Sequence, residues 1–354
     1  MHLRISPGWN GVGTSRATVA RTALLMVLLV PLFLLGGCRQ GAAEPGFPGG
    51  KFRVAFEHLA DSFQTRIEQD PRDASAFAGL AETRCTLWCF GFAPRDQALP
   101  PARSAAQRAL ELDPRLAAAH TALGIVRLCD WDWAGAEQAF RKAVEIDPAD
   151  PKAHHWYALF LAALGETDKA LSHASQAERL APESAGFKTG KGAVLYFGHR
   201  FDAMRDQLSQ TVALAPDNAW AHDWLGMAYV QLQDCEKAVE TYERAVDLSD
   251  RTAEVLAGLG HAYGICGLET KAREVIAELA AYAEKWYVPS VQRSYVHFGL
   301  GETDEGFALL ERAFTEKSWE LVFLREEPWF DAFRADARFK DLERRMRFPP
   351  RPGK

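Results

Sequence analysis

Residues 117–148, AAAHTALGIVRLCDWDWAGAEQAFRKAVEIDP, read as two amphipathic helices joined by a short turn and stopped by a proline. The proline belongs to a series: Pro114, Pro148, Pro182 and Pro216 follow one another at intervals of 34 residues. A fixed period between 20 and 50 residues decides architecture before any single residue does. The expectation is an all-α solenoid of stacked helical hairpins.

Working outward, positions 150, 184, 218 and 252 are Asp150, Ser184, Asn218 and Thr252, again 34 apart and each a good N-cap residue. Pro151 suits the first helical position after Asp150, where a missing N–H costs nothing. Each stop proline pushes the residue before it away from helical angles. Leu164-Gly165-Glu166-Thr167-Asp168 recurs as Leu300-Gly301-Glu302-Thr303-Asp304, 136 residues later or four periods, with the glycine supplying the turn between helices. The array therefore continues through 219–248, 253–284 and 287–317 after the prolines lapse. Upstream, Phe52 to Gln69 forms an amphipathic helix that ends at Asp70-Pro71, and Asp73 can cap the next. Residues 74–112 form a first hairpin whose surplus of nine residues is expected as a loop around Trp88–Pro101. That makes seven hairpins, and the tail 320–347, with Trp329, Phe330, Phe333 and Phe339, would supply the terminal cap a solenoid needs.

These residues resemble the tetratricopeptide repeat (TPR). Its motif positions are visible in 117–150 as Leu123, Gly124, Ala136, Phe140, Ala143 and Pro148, and in 219–252 as Leu225, Gly226, Tyr229, Ala238, Tyr242 and Ala245. Hairpin 185–218 departs most, with Lys188, Lys191, Met204 and Thr211 at motif positions. The resemblance covers residues 52–317 and implies a right-handed superhelical solenoid with capping helices at both ends, 318–354 forming the C-terminal cap and tail. AGLAET at 78–83, AHHWYALFLAALGE at 153–166 and PWFDAFRADARFKDLERRM at 328–346 also look like the TPR half of bacterial signalling proteins. In those, the array follows a winged-helix regulator, an adenylyl cyclase or a protein kinase domain.

Ahead of the array, the sequence reads as a segment of another kind. Residues 1–21 are polar and basic, and Thr22–Leu35 is an apolar run of 14, shorter than the ~20 residues a spanning helix needs. This is the layout of a secretory signal. Leu35-Gly36-Gly37-Cys38 resembles the bacterial lipobox, in which the small residues fit the signal peptidase and the cysteine thiol accepts diacylglycerol. The resemblance implies a signal peptide over 1–37, lipid attachment at Cys38 and a Gly/Pro/Ala tether over 38–50. Two or three acyl chains, at ~0.8 kcal/mol per buried CH₂, hold a protein on a membrane far longer than one does. Arg39 stands where an inner-membrane retention signal would place Asp, which points to the periplasmic face of the outer membrane.

Composition excludes some functions. Beyond the signal, 38 basic residues face 47 acidic ones, a net charge of −9. An acidic body without a basic cluster is a poor match for nucleic acid. The six cysteines, Cys38, Cys85, Cys89, Cys129, Cys235 and Cys266, fit no zinc module. Most are expected as free, packed small hydrophobes. An exported compartment permits disulfides, and a bridge between Cys235 and Cys266, near the turns of adjacent repeats, stays open.

His120, His154 and His222 share one repeat position, but stacked helices stand ~10 Å apart, too far to share a metal. They are expected as structural histidines at helix contacts, and Trp131 and Trp133 as covers over the core. No phosphate loop, nucleophile elbow or metalloprotease spacing is present, so no catalytic residue, metal or cofactor is assigned. In TPRs the first helix of each hairpin lines a concave groove. By that resemblance the groove here includes His155, Leu159, Tyr196, Trp220, Asp223, Met227, His261 and Tyr295, an apolar, aromatic lining without the Lys/Asn carboxylate clamp. A hydrophobic peptide is the expected ligand. Packing of these side chains within the solenoid is the competing reading, and both stay open. The expectation is a non-enzymatic, membrane-tethered scaffold for protein partners in the cell envelope. The alternative is a sensory or regulatory module acting on a separately encoded effector; an enzyme ranks last.

Overall fold

The computed structural model describes residues 48–351, so the signal segment and Cys38 lie outside the described residues. Among these there are sixteen α-helices and no strand. Helix α1 (Gly50–Gln69) is followed by seven hairpins: α2 (Ala74–Cys89) with α3 (Arg95–Leu112), α4 (Ala117–Cys129) with α5 (Trp133–Ile146), α6 (Pro151–Ala163) with α7 (Thr167–Leu180), and α8 (Ala185–Phe197) with α9 (Phe201–Leu214). Then come α10 (Ala219–Gln231) with α11 (Cys235–Ser249), α12 (Ala253–Ile265) with α13 (Glu269–Ala283), and α14 (Ser290–Gly299) with α15 (Thr303–Glu316). Helix α16 (Ala337–Met346) ends the fold.

The period acts through backbone chemistry at four points of each repeat. Asp113, Asp147, Ala181 and Ala215, each just before a stop proline, are extended and end their helices. Asp150, Ser184 and Asn218 then accept hydrogen bonds from the N–H of Lys152, Phe187 and Ala221. Thr252 occupies the corresponding N-cap but makes no such bond. The turn inside each hairpin uses one left-handed residue, at 131, 165, 199, 233, 267 and 301. Glycine fills three of these positions, whereas Trp131, His199 and Gln233 take the strain of a positive φ. The shared histidines also find their role here: the Nε2 of His120, His154 and His222 lies 2.9, 3.1 and 3.0 Å from the carbonyl oxygens of Pro114, Pro148 and Pro216. Each ring ties a helix back to the proline that stopped the one before it.

The first helix of a hairpin is buried on more than one side and the second on a single stripe. In α5 that stripe is Trp133, Ala136, Ala139, Phe140 and Ala143. Hairpin α8–α9, the weakest match to the repeat, still packs: Met204 and Thr211 are fully buried, and Lys188 and Lys191 pair with Glu178 at 3.0 and 2.8 Å. Against the upward push of burial, the two ammonium groups hold the Glu178 carboxyl down at about 2. Helices α12 and α14 approach closest at Gly264 and Gly299, where a Cβ on Gly264 would stand 2.5 Å from the Gly299 carbonyl carbon.

Two expectations need correction. The surplus in the first hairpin is mostly helix, not loop: α3 begins at Arg95 and runs through Pro100 and Pro101. The carbonyls those prolines leave without donors belong to Asp96 and Gln97, which are exposed and can turn to water. The tail is only partly a cap. Helix α16 buries Phe339, Leu342 and Met346 and pairs Arg338 with Asp304 of α15 at 2.7 Å. Residues 318–336, by contrast, run inward as two 3₁₀ turns, Trp319–Phe323 and Pro328–Phe333.

The two tryptophans of the opening stretch cover core, and what they cover lies far along the chain. Trp133 stacks on Phe348 at 4.6 Å and donates its indole N–H to the Met346 carbonyl at 3.1 Å, while Trp131 meets Phe314 at 5.1 Å. At the other end of the array, the Gly49 N–H donates to the Asp250 carbonyl at 2.7 Å and Phe52 meets Trp220 edge-on at 4.7 Å. Cys235 and Cys266 form a disulfide between adjacent hairpins, with Cα atoms 5.6 Å apart. Cys85, Cys89 and Cys129 are free and buried.

Candidate partner-binding channel

The eight lining residues named from sequence all lie on first helices: His155 and Leu159 on α6, Tyr196 on α8, Trp220, Asp223 and Met227 on α10, His261 on α12 and Tyr295 on α14. The structure does not bring all of them together. His155 sits between α6 and α8, its ring 5.5 Å from Phe187 and above Gly190, and burial pushes its pKa down to about 4. Leu159 and Met227 are half-buried against the core. Trp220 faces the opposite end, enclosed by Phe52 and by Phe90 at 5.0 Å, with its indole N–H 3.5 Å from Glu254 Oε2.

Tyr196, His261 and Tyr295 converge, and what they converge on is the chain's own tail. The His261 ring stacks on Trp329 at 4.1 Å and Tyr295 meets the same indole edge-on at 4.6 Å. His261 Nδ1 lies 2.8 Å from the Tyr295 carbonyl oxygen, the contact that the Gly264–Gly299 approach allows. The Tyr196 hydroxyl donates to Glu327 Oε1, which also accepts from the Trp329 N–H at 3.2 Å. Phe197 lies parallel to Phe323 at 4.2 Å. Trp88 and Trp156 stand edge-on around Trp319 at 6.1 and 6.2 Å. Residues 318–336 are thus a strap along the inner face. Arg334 stiffens it by donating to the carbonyls of Leu324, Arg325 and Glu327 and to Asp331 Oδ1.

The channel is acidic. Asp223 is fully buried and neither of its carboxyl oxygens has a hydrogen-bond partner among the described residues. Burial raises its pKa, and burial together with the nearby Asp223 carboxyl raises that of Glu254. The strap adds two more acids. Burial pushes Glu320 up to about 8 and Glu327 up to about 7, although Gln292 donates to Glu320 at 2.9 Å. The hydroxyl of Tyr242, also fully buried, is unpartnered. Burial raises that hydroxyl's pKa first, and the Asp223 carboxyl raises it further. Carboxyls so placed are neutral at mild pH, because an unpaired charge there loses its hydration without a counter-ion.

Sequence reasoning missed Glu254, Glu320, Glu327 and the strap itself. The signal was the density of large side chains between Trp319 and Phe333, more than one capping helix can bury. A separate cavity of about 240 Å³ opens beside α1 and α2, lined by Arg53, Glu57, Arg84, Phe92, Trp286 and Tyr287. It carries both signs of charge, and its Tyr287 meets the start of the strap through Ser318 and Glu320. No group of three or more His, Cys, Asp or Glu side chains among the described residues is arranged to hold a metal.

Comparison with known proteins agrees with this architecture. Profiles of the tetratricopeptide repeat match residues 139–172 and 221–252. The Hsp70-Hsp90 organizing protein of Triticum aestivum is 34% identical over 99 residues, which is 28% of this chain and 17% of that protein. The chain therefore spans less than a fifth of the length of that curated relative. Among solved structures, the APC/C hetero-tetramer Cut9-Hcn1 is similar with a TM-score of 0.57 at 19% identity, over 82% of this chain and 52% of that one. Human IFIT1, as a dimer with PPP-AAAA, is similar with a TM-score of 0.57 at 18% identity, over 79% of this chain and 69% of that one. The chain contains tetratricopeptide repeats, and its fold is a TPR solenoid.

Proposed function

We propose that this protein is a non-enzymatic interaction scaffold, tethered to a bacterial membrane through lipid on Cys38, that holds a segment of a protein partner along the inner face of its solenoid. One observation carries the reading: the inner face already holds an irregular stretch of polypeptide, residues 318–336, through ring side chains on three first helices, α8, α12 and α14. A surface that seats one such segment has the chemistry to seat another. Met227 and Leu159 are half-buried and form the more accessible part of the lining.

Export and anchoring are supported by the apolar run and lipobox-like ending of residues 22–38 and by the Cys235–Cys266 bridge, which suits an oxidising compartment. No helix among the described residues is long and apolar enough to cross a membrane.

A photo-crosslinking residue at Met227, compared with one at the exposed Lys142, tests the binding face in intact cells. Adducts from position 227 and none from 142 are expected; the reverse pattern contradicts the reading. Acyl labelling that survives Cys38→Ala would remove the lipid anchor.

A further inference from the structure

We propose that the channel is built to take a partner segment carrying a lysine or arginine among aromatic residues, and that the strap occupies it as an intramolecular competitor which such a segment displaces. This rests on the reading of the inner face as the partner-binding surface. The strap serves as the template for the occupant. Trp319, Phe323 and Trp329 each have a ring-lined seat, formed by Trp88 and Trp156, by Phe197, and by His261 with Tyr295. A segment with aromatic side chains at similar spacing would fill the same seats.

Charge is where the strap fits poorly. The wall presents Asp223 and Glu254, and the strap brings Glu320 and Glu327 near them: Asp223, Glu254 and Glu327 all act on Tyr242, and Glu254, Glu320 and Glu327 on Tyr295. The one guanidinium nearby, Arg334, is directed at three backbone carbonyls and at Asp331. Besides Tyr196, Tyr242 and Tyr295, the groups facing the acids are Tyr287, Cys89, Glu316 and Asp331, and none of them is a cation. Both oxygens of Asp223, the Tyr242 hydroxyl, Glu320 Oε2 and Gln292 Oε1 are left without a partner among the described residues. Unmade hydrogen bonds in a buried site are costly, so an occupant that supplies donors has an advantage over the strap.

An ammonium or guanidinium placed where the strap carries Glu320 or Glu327 would supply those donors. It would let Asp223 and Glu254 ionise against a positive partner in place of two further acids. A charge-assisted pair of this kind discriminates as well as binds, since an acidic or neutral segment cannot form it. The strap therefore acts as a weak resident ligand of matching shape and mismatched charge.

Two labelled peptides copying residues 317–336 test this against the full-length protein by fluorescence anisotropy at pH 7.5. One carries Glu320→Lys and Glu327→Lys, the other Glu320→Gln and Glu327→Gln. The lysine peptide is expected to bind at least tenfold tighter, and Asp223→Asn or Glu254→Gln in the protein is expected to erase that preference. Weakening the strap with Phe323→Ala should tighten both peptides alike. Trp319→Ala, at a half-buried position, serves if Phe323→Ala lowers the melting temperature too far. Equal binding of the two peptides overturns the basic-partner inference and leaves the channel as an interaction surface. Absence of binding to the wild type and to folded strap variants overturns both.

Discussion

The array from 117 to 317 and the strap from 318 to 336 are built on opposite principles. In the array, equivalent positions do equivalent work: three histidines tie back to three prolines, and six turns place their left-handed residue 34 apart. In the strap no position repeats, and Phe323, Glu327 and Trp329 each have a partner of their own. Repetition makes backbone geometry cheap to specify, and each hairpin depends mainly on its neighbours. The individual character of the molecule lies where repetition stops. A difference in energetics should follow, with damage to the array spreading and damage to the strap staying local.

The largest expected effect is in the array. Phe140 is fully buried at the contact of α5 with α4, and Phe140→Ala should lower the stability measured by urea unfolding by roughly 3–5 kcal/mol. Phe323→Ala should instead speed amide exchange in 318–336 and leave exchange across α4–α7 unchanged. If exchange rises everywhere in Phe323→Ala, the division between array and strap is wrong.

Next is pH. Asp223 and Glu327, which are buried, and Glu254 and Glu320, which are half-buried, have raised pKa values in the folded state, so their contribution is complete below about pH 4 and is lost as pH rises through about 7 to 8. Burial lowers His155, His173 and His261 to about 4, and their contribution is lost as pH falls below about 6.5. Above pH 6.5 only the acids act among these groups. Thermal unfolding should show stability falling by a few kcal/mol, as an order of magnitude, between pH 6.5 and 8.5. Glu320→Gln with Glu327→Gln should flatten that slope; an unchanged slope would show that the strap acids do not titrate in the folded protein.

The Cys235–Cys266 bridge closes a sequence separation of 31. Its reduction should cost roughly 2–4 kcal/mol, seen as a lower melting temperature and as faster exchange in α11–α13. The smallest effect separates conformation from packing. Gln233 holds a positive φ of 60° on an exposed turn, and Gln233→Gly should raise stability by about 1 kcal/mol, because glycine removes the left-handed strain. Trp131 and His199 occupy the same turn position but make ring contacts, so glycine there should gain less or nothing.

Most of the array was legible because stop prolines, caps and turn glycines act within a few residues of themselves. The hairpin boundaries from 219 to 317 lie close to the helices observed. Pro100 and Pro101 misled because a proline's effect depends on whether the carbonyls it abandons can reach water, and that is a matter of exposure. All eight lining residues could be placed on first helices from repeat position without any sign that a tail would reach some of them. His155 shows the limit at one position: its neighbour across the helix pair is Gly190, and the missing Cβ draws the ring between helices instead of into the channel. The strap was unreadable for a different reason. Many of its partners lie on distant helices, as with Tyr196 and Glu327 at a separation of 131, and no local pattern encodes such pairings.

The central claim is that residues 318–336 occupy the inner face of the solenoid. A photo-crosslinking residue at position 323 of the full-length protein, with the adducts mapped by mass spectrometry, tests it most directly. Adducts to the α8 peptide containing Phe197 are the expected result. Adducts confined to the tail itself, or spread over the second helices of the hairpins, would contradict it.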